Sequence, residues 1–177
     1  MRKIIYYVAT SIDGYIMGAD GNMGSFTIGG SGVEKYLNDL KEFDTVIMGR
    51  KTYEFGYQYG LQPGQPAYPH MQHYIFSNTL HFENPHEKII IKKPDLDFIK
   101  QLKKEKGTPI YLCGGGELAG WLLDNGLIDI LKIKLNPLVL GNGIRLFGNS
   151  KKEYQLELIK SELFEEGLQI VEFYIRY

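Results

Sequence analysis

The hydrophobic pattern along this chain switches repeatedly between two periods. Residues 3–9 form a compact apolar run that reads as a buried strand. In residues 31–43 the apolar side chains fall at Val33, Tyr36, Leu37, Leu40 and Phe43, the spacing of one helical face. A short apolar run at 44–48 reads as a strand, and a helix opens at Arg50 and extends to 57. Residues 73–76 and 88–91 read as strands. Asp95 is an N-cap for a helix reaching 106, with Leu96, Ile99 and Leu102 on one face and lysines near its end, where they suit the helix dipole. A strand at 109–113, a helix at 117–125 stopped by Gly126, and a strand at 128–135 follow. Two longer strands, 155–163 and 167–177, close the chain around a turn at 165–167.

Alternation of strands and helices predicts parallel βαβ crossovers, and the closing pair predicts an antiparallel hairpin. The expected fold class is α/β, a mixed and mainly parallel sheet with helices on both faces. Runs such as 45–48 suit strands buried on both sides.

Length and charge narrow the picture. At 177 residues a single domain, 1–177, is expected, large enough to bury a core without a metal or disulfide staple. A net charge of −1 offers no basic excess for nucleic acid. Cys113 is the only cysteine, so no internal disulfide forms, which fits a reducing compartment. The apolar start is short and interrupted, unlike a signal peptide, and no run approaches the roughly 20 residues that span a bilayer. A cytoplasmic protein with no nucleic-acid or membrane partner is expected. Glycine is in excess: 21 residues, where average usage of about 7% gives roughly 12. Seven of them fall between Gly14 and Gly32 inclusive, which marks that stretch for tight turns or close backbone approach.

In open α/β sheets, ligands bind beyond the carboxyl ends of the strands. Four such ends carry candidate chemistry. The first is Ala9-Thr10-Ser11-Ile12-Asp13-Gly14-Tyr15-Ile16. It enters the glycine-rich segment, which reads either as a mobile lid or as a surface excursion. Asp13 reads equally as an acid and as the turn partner of Gly14. The second is Met48-Gly49-Arg50-Lys51-Thr52-Tyr53, where a strand ends at a glycine and a helix begins. Backbone N–H groups, the Thr52 hydroxyl and the Arg50 guanidinium suit an anion; a solvated helix start is the alternative. The third is Ser77-Asn78-Thr79, polar donors or a plain turn. The fourth is Cys113-Gly114-Gly115-Gly116-Glu117-Leu118-Ala119. Its glycines let backbone approach a pyrophosphate at a helix start.

Gly114, Gly116 and Ala119 satisfy a loose G-x-G-x-x-A pattern. The next strand end reads Lys132-Ile133-Lys134-Leu135-Asn136 and lacks the acid of a classical Rossmann unit. No G-x-x-x-x-G-K-[ST] loop and no G-x-S-x-G elbow occur. His70 and His73, with His81 and His86, read as polar loop surface rather than a metal site, and no metal is expected.

Taken in order, A-T-S-I-D-G-Y-I, M-G-R-K-T, F-S-N and C-G-G-G-E-L resemble the dihydrofolate reductase-like superfamily. The stretch N-P-L-V-L-G-N-G-I-R-L-F at 136–147 resembles most closely the reductase domain of the bacterial bifunctional riboflavin-biosynthesis deaminase–reductase. The resemblance covers essentially the whole chain. It implies a three-layer α/β/α domain that binds NADPH without a Rossmann fold. It also implies hydride transfer to a small-molecule substrate, a heterocycle or a ribosylaminopyrimidine such as 5-amino-6-(5-phosphoribosylamino)uracil, and a homodimer.

Carried over by position, Gly49, Arg50, Lys51 and Thr52 would hold the adenosine phosphates, with Arg50 facing the 2′-phosphate. Ser77 and Asn78 would flank the adenosine, and Gly114, Gly115, Gly116, Glu117 and Leu118 would wrap the pyrophosphate. Ala9 and Ile16 would line the nicotinamide. Glu34 stands near the place where dihydrofolate reductase carries a buried acid on its first helix, and a solvated helix-start glutamate is its other reading. Asp13 and Glu34 are thus the acid candidates, and Tyr15, Tyr36 and Arg145 the substrate candidates. The H-x-E and P-C-x-x-C zinc elements of the deaminase half are absent. A canonical dihydrofolate reductase and an NADP-binding module without turnover are the alternatives to such a reductase.

Overall fold

A computed structural model describes all 177 residues. In its strands successive side chains face opposite sides, and both sides are covered. Ile4 and Tyr6 of β1 (Ile4–Thr10) face one layer, while Tyr7 faces the other. The same alternation places Ile47 of β3 (Thr45–Gly49) opposite Val46 and Met48, and Ile110 and Leu112 of β6 (Ile110–Gly114) opposite Tyr111. The first layer is closed by α3 (Leu96–Lys104) and α4 (Gly116–Asp124), which contribute Ile99, Leu102, Leu118 and Leu122. The second is closed by Leu40 of α1 (Ser31–Leu40) and Tyr53 of α2 (Arg50–Phe55). This is the three-layer α/β/α arrangement.

The remaining strands of the main sheet are β4 (Gln72–Phe76), β5 (Ile89–Lys92), β7 (Ile130–Leu135), β9 (Gln155–Leu163) and β10 (Gln169–Arg176). Spatial order is β5-β4-β3-β6-β1-β7-β10-β9. Pairing is parallel from β5 to β7, and β10 runs antiparallel to both of its neighbours. The closing hairpin is therefore where it was expected.

Differences from the sequence reading have local causes. The first helix stops at Leu40 because Lys41, Glu42 and Phe43 continue in i−3 turn bonds that swing Phe43 into the core. Asp95 caps α3 as expected, accepting from Asp97 N at 2.9 Å and Phe98 N at 3.3 Å. A second, two-stranded sheet pairs β2 (Tyr15–Met17) with β8 (Ile144–Arg145). Strands this short leave no readable period. The glycine-rich segment is anchored at both ends, first through β2. Beyond β2, Phe26 is buried, and Thr27 donates its N–H to Asn136 Oδ1 at 3.0 Å.

His73 is a correction. It is fully buried on β4, not on the loop surface; Nε2 accepts from Tyr68 N at 3.1 Å, and Nδ1 donates to Met71 O at 3.0 Å. No helix is long and apolar enough to cross a membrane.

Candidate functional site

The four strand ends singled out in the sequence belong to β4, β3, β6 and β1, which are consecutive neighbours in the sheet. They therefore form one row along one rim, about 14 Å long at the usual interstrand spacing. Tertiary pairing, not sequence order, makes them contiguous: β4 and β1 lie far apart along the chain.

Two of the ends meet. A Cβ on Gly115 would lie 3.0 Å from Thr52 Oγ1, and one on Gly49 would lie 3.8 Å from Gly115 N. Gly114 holds φ +133, which glycine alone adopts without strain, and the Gly114–Gly115 peptide is cis. Gly115 is the N-cap of α4 and offers no side chain to cap it. The first-turn N–H groups of α4 have no intrahelical acceptor, so the helix start remains a donor set for an anion.

Around this cradle the candidates divide. Arg50 is half-exposed and bound only by Glu54, Nη1 to Oε1 at 3.3 Å, an i,i+4 pair that costs little to release. Lys51 and Asn78 are exposed. Ser77 Oγ accepts from Thr79 N at 3.1 Å and Leu80 N at 2.9 Å, so it closes a turn and keeps only its O–H for a ligand. Ala9 is half-buried on β1, and Ile16 half-buried on β2.

Three members of the glycine run's helix start have side-chain surroundings of their own. A Cβ on Gly116 would stand 2.2 Å from Arg145 O, so its missing side chain admits the 145–148 segment rather than a phosphate. Leu118 is core, and the Glu117 carboxylate is exposed and accepts from Asn149 Nδ2 at 2.9 Å. Both retain only backbone N–H groups for a ligand.

Neither acid candidate is placed to give a proton. Asp13 Oδ1 accepts from Leu140 N at 3.1 Å and Oδ2 from Gly141 N at 2.7 Å. The Ser11 hydroxyl and these backbone donors pull its carboxyl down to about 2, so it stays ionised and clamps the 138–141 loop. Glu34 is exposed in the first turn of α1. The buried acid of that helix is Asp39, near its other end. It accepts from Tyr7 Oη at 3.1 Å, from Lys132 Nζ at 2.8 Å, and from Lys35. Its i,i+4 spacing to Lys35 was the only sequence signal for it.

Of the substrate candidates, Tyr15 and Arg145 are register partners across the small sheet, with Arg145 exposed. Tyr36 lies apart from them, over the main sheet. Its hydroxyl shares a 2.8 Å hydrogen bond with Tyr111, and its ring meets Tyr7 edge-on at 4.8 Å. Tyr68 Oη and Cys113 Sγ are 3.6 Å apart beside them. Burial pushes the Cys113 thiol up, so it rests protonated and unreactive. No group of three or more His, Cys, Asp or Glu side chains is placed to hold a metal ion.

This architecture is the dihydrofolate reductase-like fold. Dihydrofolate reductase of Enterococcus faecalis, solved with NADP(H), superposes with a TM-score of 0.67 at 13% identity, over 99% of this chain and 97% of that one. Within that class, the chain belongs to the RibD C-terminal domain family, whose model matches residues 2–170. The uncharacterized protein YwjB of Bacillus subtilis (strain 168) is 32% identical over 172 residues, 96% of each chain. A protein of Shewanella sp. PV-4 provisionally assigned to riboflavin biosynthesis superposes with a TM-score of 0.81 at 26% identity, over 100% of both chains. The Thermotoga maritima deaminase/5-amino-6-(5-phosphoribosylamino)uracil reductase superposes at 0.71 with 14% identity, over 99% of this chain but 57% of that longer one.

Proposed function

We propose that this protein is an NADPH-dependent reductase acting on an electron-poor C=N or C=O of a small heterocycle, of the ribosylaminopyrimidine type. The observation that carries the reading is the row of four adjacent strand ends, with the side-chain-free Gly114–Gly115 turn facing Thr52 at its centre. The NADP(H)-bound dihydrofolate reductase and the uracil reductase among the structural neighbours support it. The residues fit the cofactor, since the cradle that approaches Thr52 is one a Cβ would fill.

The N–H groups of Gly115 to Leu118 and the Thr52 hydroxyl would hold the pyrophosphate. Arg50 and Lys51 would meet the 2′-phosphate, and Ser77 and Asn78 the adenosine. Ala9 and Ile16 would wall the nicotinamide. NADPH, when bound, supplies the hydride. The chain's own residues orient the partners and exclude water. Dihydrofolate reduction is the weaker reading, because Glu34 is exposed.

Fluorescence titration tests this directly. NADPH is expected to bind, and Arg50→Gln to weaken it about tenfold while leaving NADH unchanged, the worth of one charge-assisted hydrogen bond. No NADPH binding at all sinks the reading, and equal loss for NADH removes Arg50 from the 2′-phosphate. Oxidised pterins, folates and riboflavin precursors are then screened for loss of reduced-nicotinamide absorbance, which separates an enzyme from a binding module.

The reading includes a homodimer. Strand β9 is an exposed sheet edge with Leu156, Leu158, Ile159 and Leu163 uncovered, a surface that invites pairing. Sedimentation is expected to give twice the chain mass; a mass of 20.2 kDa rules the dimer out.

A further inference from the structure

Three lysine and arginine side chains are buried in this fold: Arg2, Lys103 and Lys134. Arg2 is paired with Asp44, and Lys103 with Asp129 at 2.6 Å. Lys134 makes no ion pair, although it is only 7% exposed. Its ammonium donates once, to the Thr27 carbonyl at 3.2 Å, and lies 5.5 Å from the centre of the Tyr36 ring. An ammonium carries three N–H donors, so most of its capacity is unspent. Lys132, two residues earlier on the same face of β7, shows the contrast: it holds Asp39 at 2.8 Å and Glu172 at 4.0 Å.

Position gives the unpaired charge a meaning. Lys134 is the penultimate residue of β7 and stands directly across from Ala9 of β1. It therefore belongs to the same rim as the row of strand ends, one strand beyond it. Tyr36 places it on the α1 side of the sheet. The Thr27 carbonyl that steers it is itself held, because the Thr27 N–H is bound by the fully buried Asn136. A buried cation without a counter-charge is costly, and an anion brought by a ligand would offset that cost. Burial alone moves the Lys134 ammonium down, with no carboxylate to offset it.

We infer that Lys134 anchors an anionic group, a carboxylate or a phosphate, on the second ligand of this site, with the Tyr36 ring beside it. The inference rests on the reductase reading only in calling that ligand the substrate. It narrows the substrate class to anionic heterocycles.

The test uses the full chain labelled with ¹³C at lysine Cε. The Lys134 resonance is assigned by its loss in Lys134→Met, or in Lys134→Gln should the first variant not fold. Inorganic phosphate and acetate are titrated separately against chloride at constant ionic strength. The expected result is a saturable shift of the Lys134 resonance with at least one anion. The same anion should raise the melting temperature of the wild type but not of the variant. A response to phosphate alone identifies a phosphate ester, and to acetate alone a carboxylate. No saturable shift with either anion overturns the inference. So does a thermal gain that persists in the variant, which places the anion elsewhere. NADPH titration run alongside keeps the two readings apart. NADPH binding with a silent Lys134 removes this inference alone. A responsive Lys134 without NADPH binding removes the reductase and leaves the anion site.

Discussion

Replacing Asp39 with alanine is expected to cost about 3–5 kcal/mol of folding free energy, the usual penalty for breaking one side of a buried ion pair. Asp39 is 9% exposed and is the single acceptor shared by Tyr7, Lys35 and Lys132. Without it the one carboxylate left to Lys132 is Glu172 at 4.0 Å, and the Tyr7 hydroxyl, fully buried on β1, loses its partner. The penalty is chiefly that of the charge and hydroxyl left behind, not the worth of the bonds. Urea unfolding reads it as a fall in midpoint at constant slope. A loss under about 1 kcal/mol would show that water reaches the cluster and that these ions behave as a surface pair.

Acidification should expose the second large effect, at His73. Burial pushes its pKa from 6.5 down to about 4. The unfolded chain takes up this proton below 6.5, and the folded one only near 4. Between those values the unfolded state binds more protons, so stability falls as pH falls. The contribution is fully present above pH 6.5 and amounts to about 3 kcal/mol over the window, at 1.36 kcal/mol per unit. Carboxylates also titrate at the acid end, so the measurement is a comparison. Urea midpoints from pH 7 to 4.5 should fall more steeply for the wild type than for His73→Gln. Equal slopes between pH 6.5 and 5.5 would mean that the ring accepts a proton in place and that its hydrogen bonds to Tyr68 and Met71 do not enforce the neutral form.

Much of this architecture is legible in local chemistry. Compact apolar runs at β1, β3 and β6 are buried on both faces because helices cover both, and such strands need no alternation to be recognised. Asp95 announces α3 because a carboxylate can satisfy N–H groups two and three residues on, a relation contained within one turn. The glycines at 114 and 115 are legible for the same reason: a turn between strand and helix is made of neighbours in sequence.

Other features are invisible at that range. Pairing of Tyr15 with Arg145 joins segments 130 residues apart, and strands of three and two residues carry no period. Gly116 belongs with its neighbours by sequence, yet what its missing Cβ admits is a carbonyl from Arg145. Asp13 reads equally as an acid and as a turn partner until Leu140 and Gly141 arrive to hold it ionised. His73 reads as surface until β4 is seen between β3 and β5.

Hydrophobic period, caps and turn glycines are interactions of a residue with its own neighbourhood, so they settle which elements form and which strand ends carry donors. Electrostatic role is different. Lys132 and Lys134 share a strand and a face, and nothing in K-I-K separates them. One becomes the partner of Asp39 and the other a buried cation without a counter-charge because α1 brings a carboxylate to the first and only the Tyr36 ring to the second, whose one acceptor is the Thr27 carbonyl. Desolvation and pairing depend on what the rest of the fold brings within a few ångströms, and that is set only when the layers close.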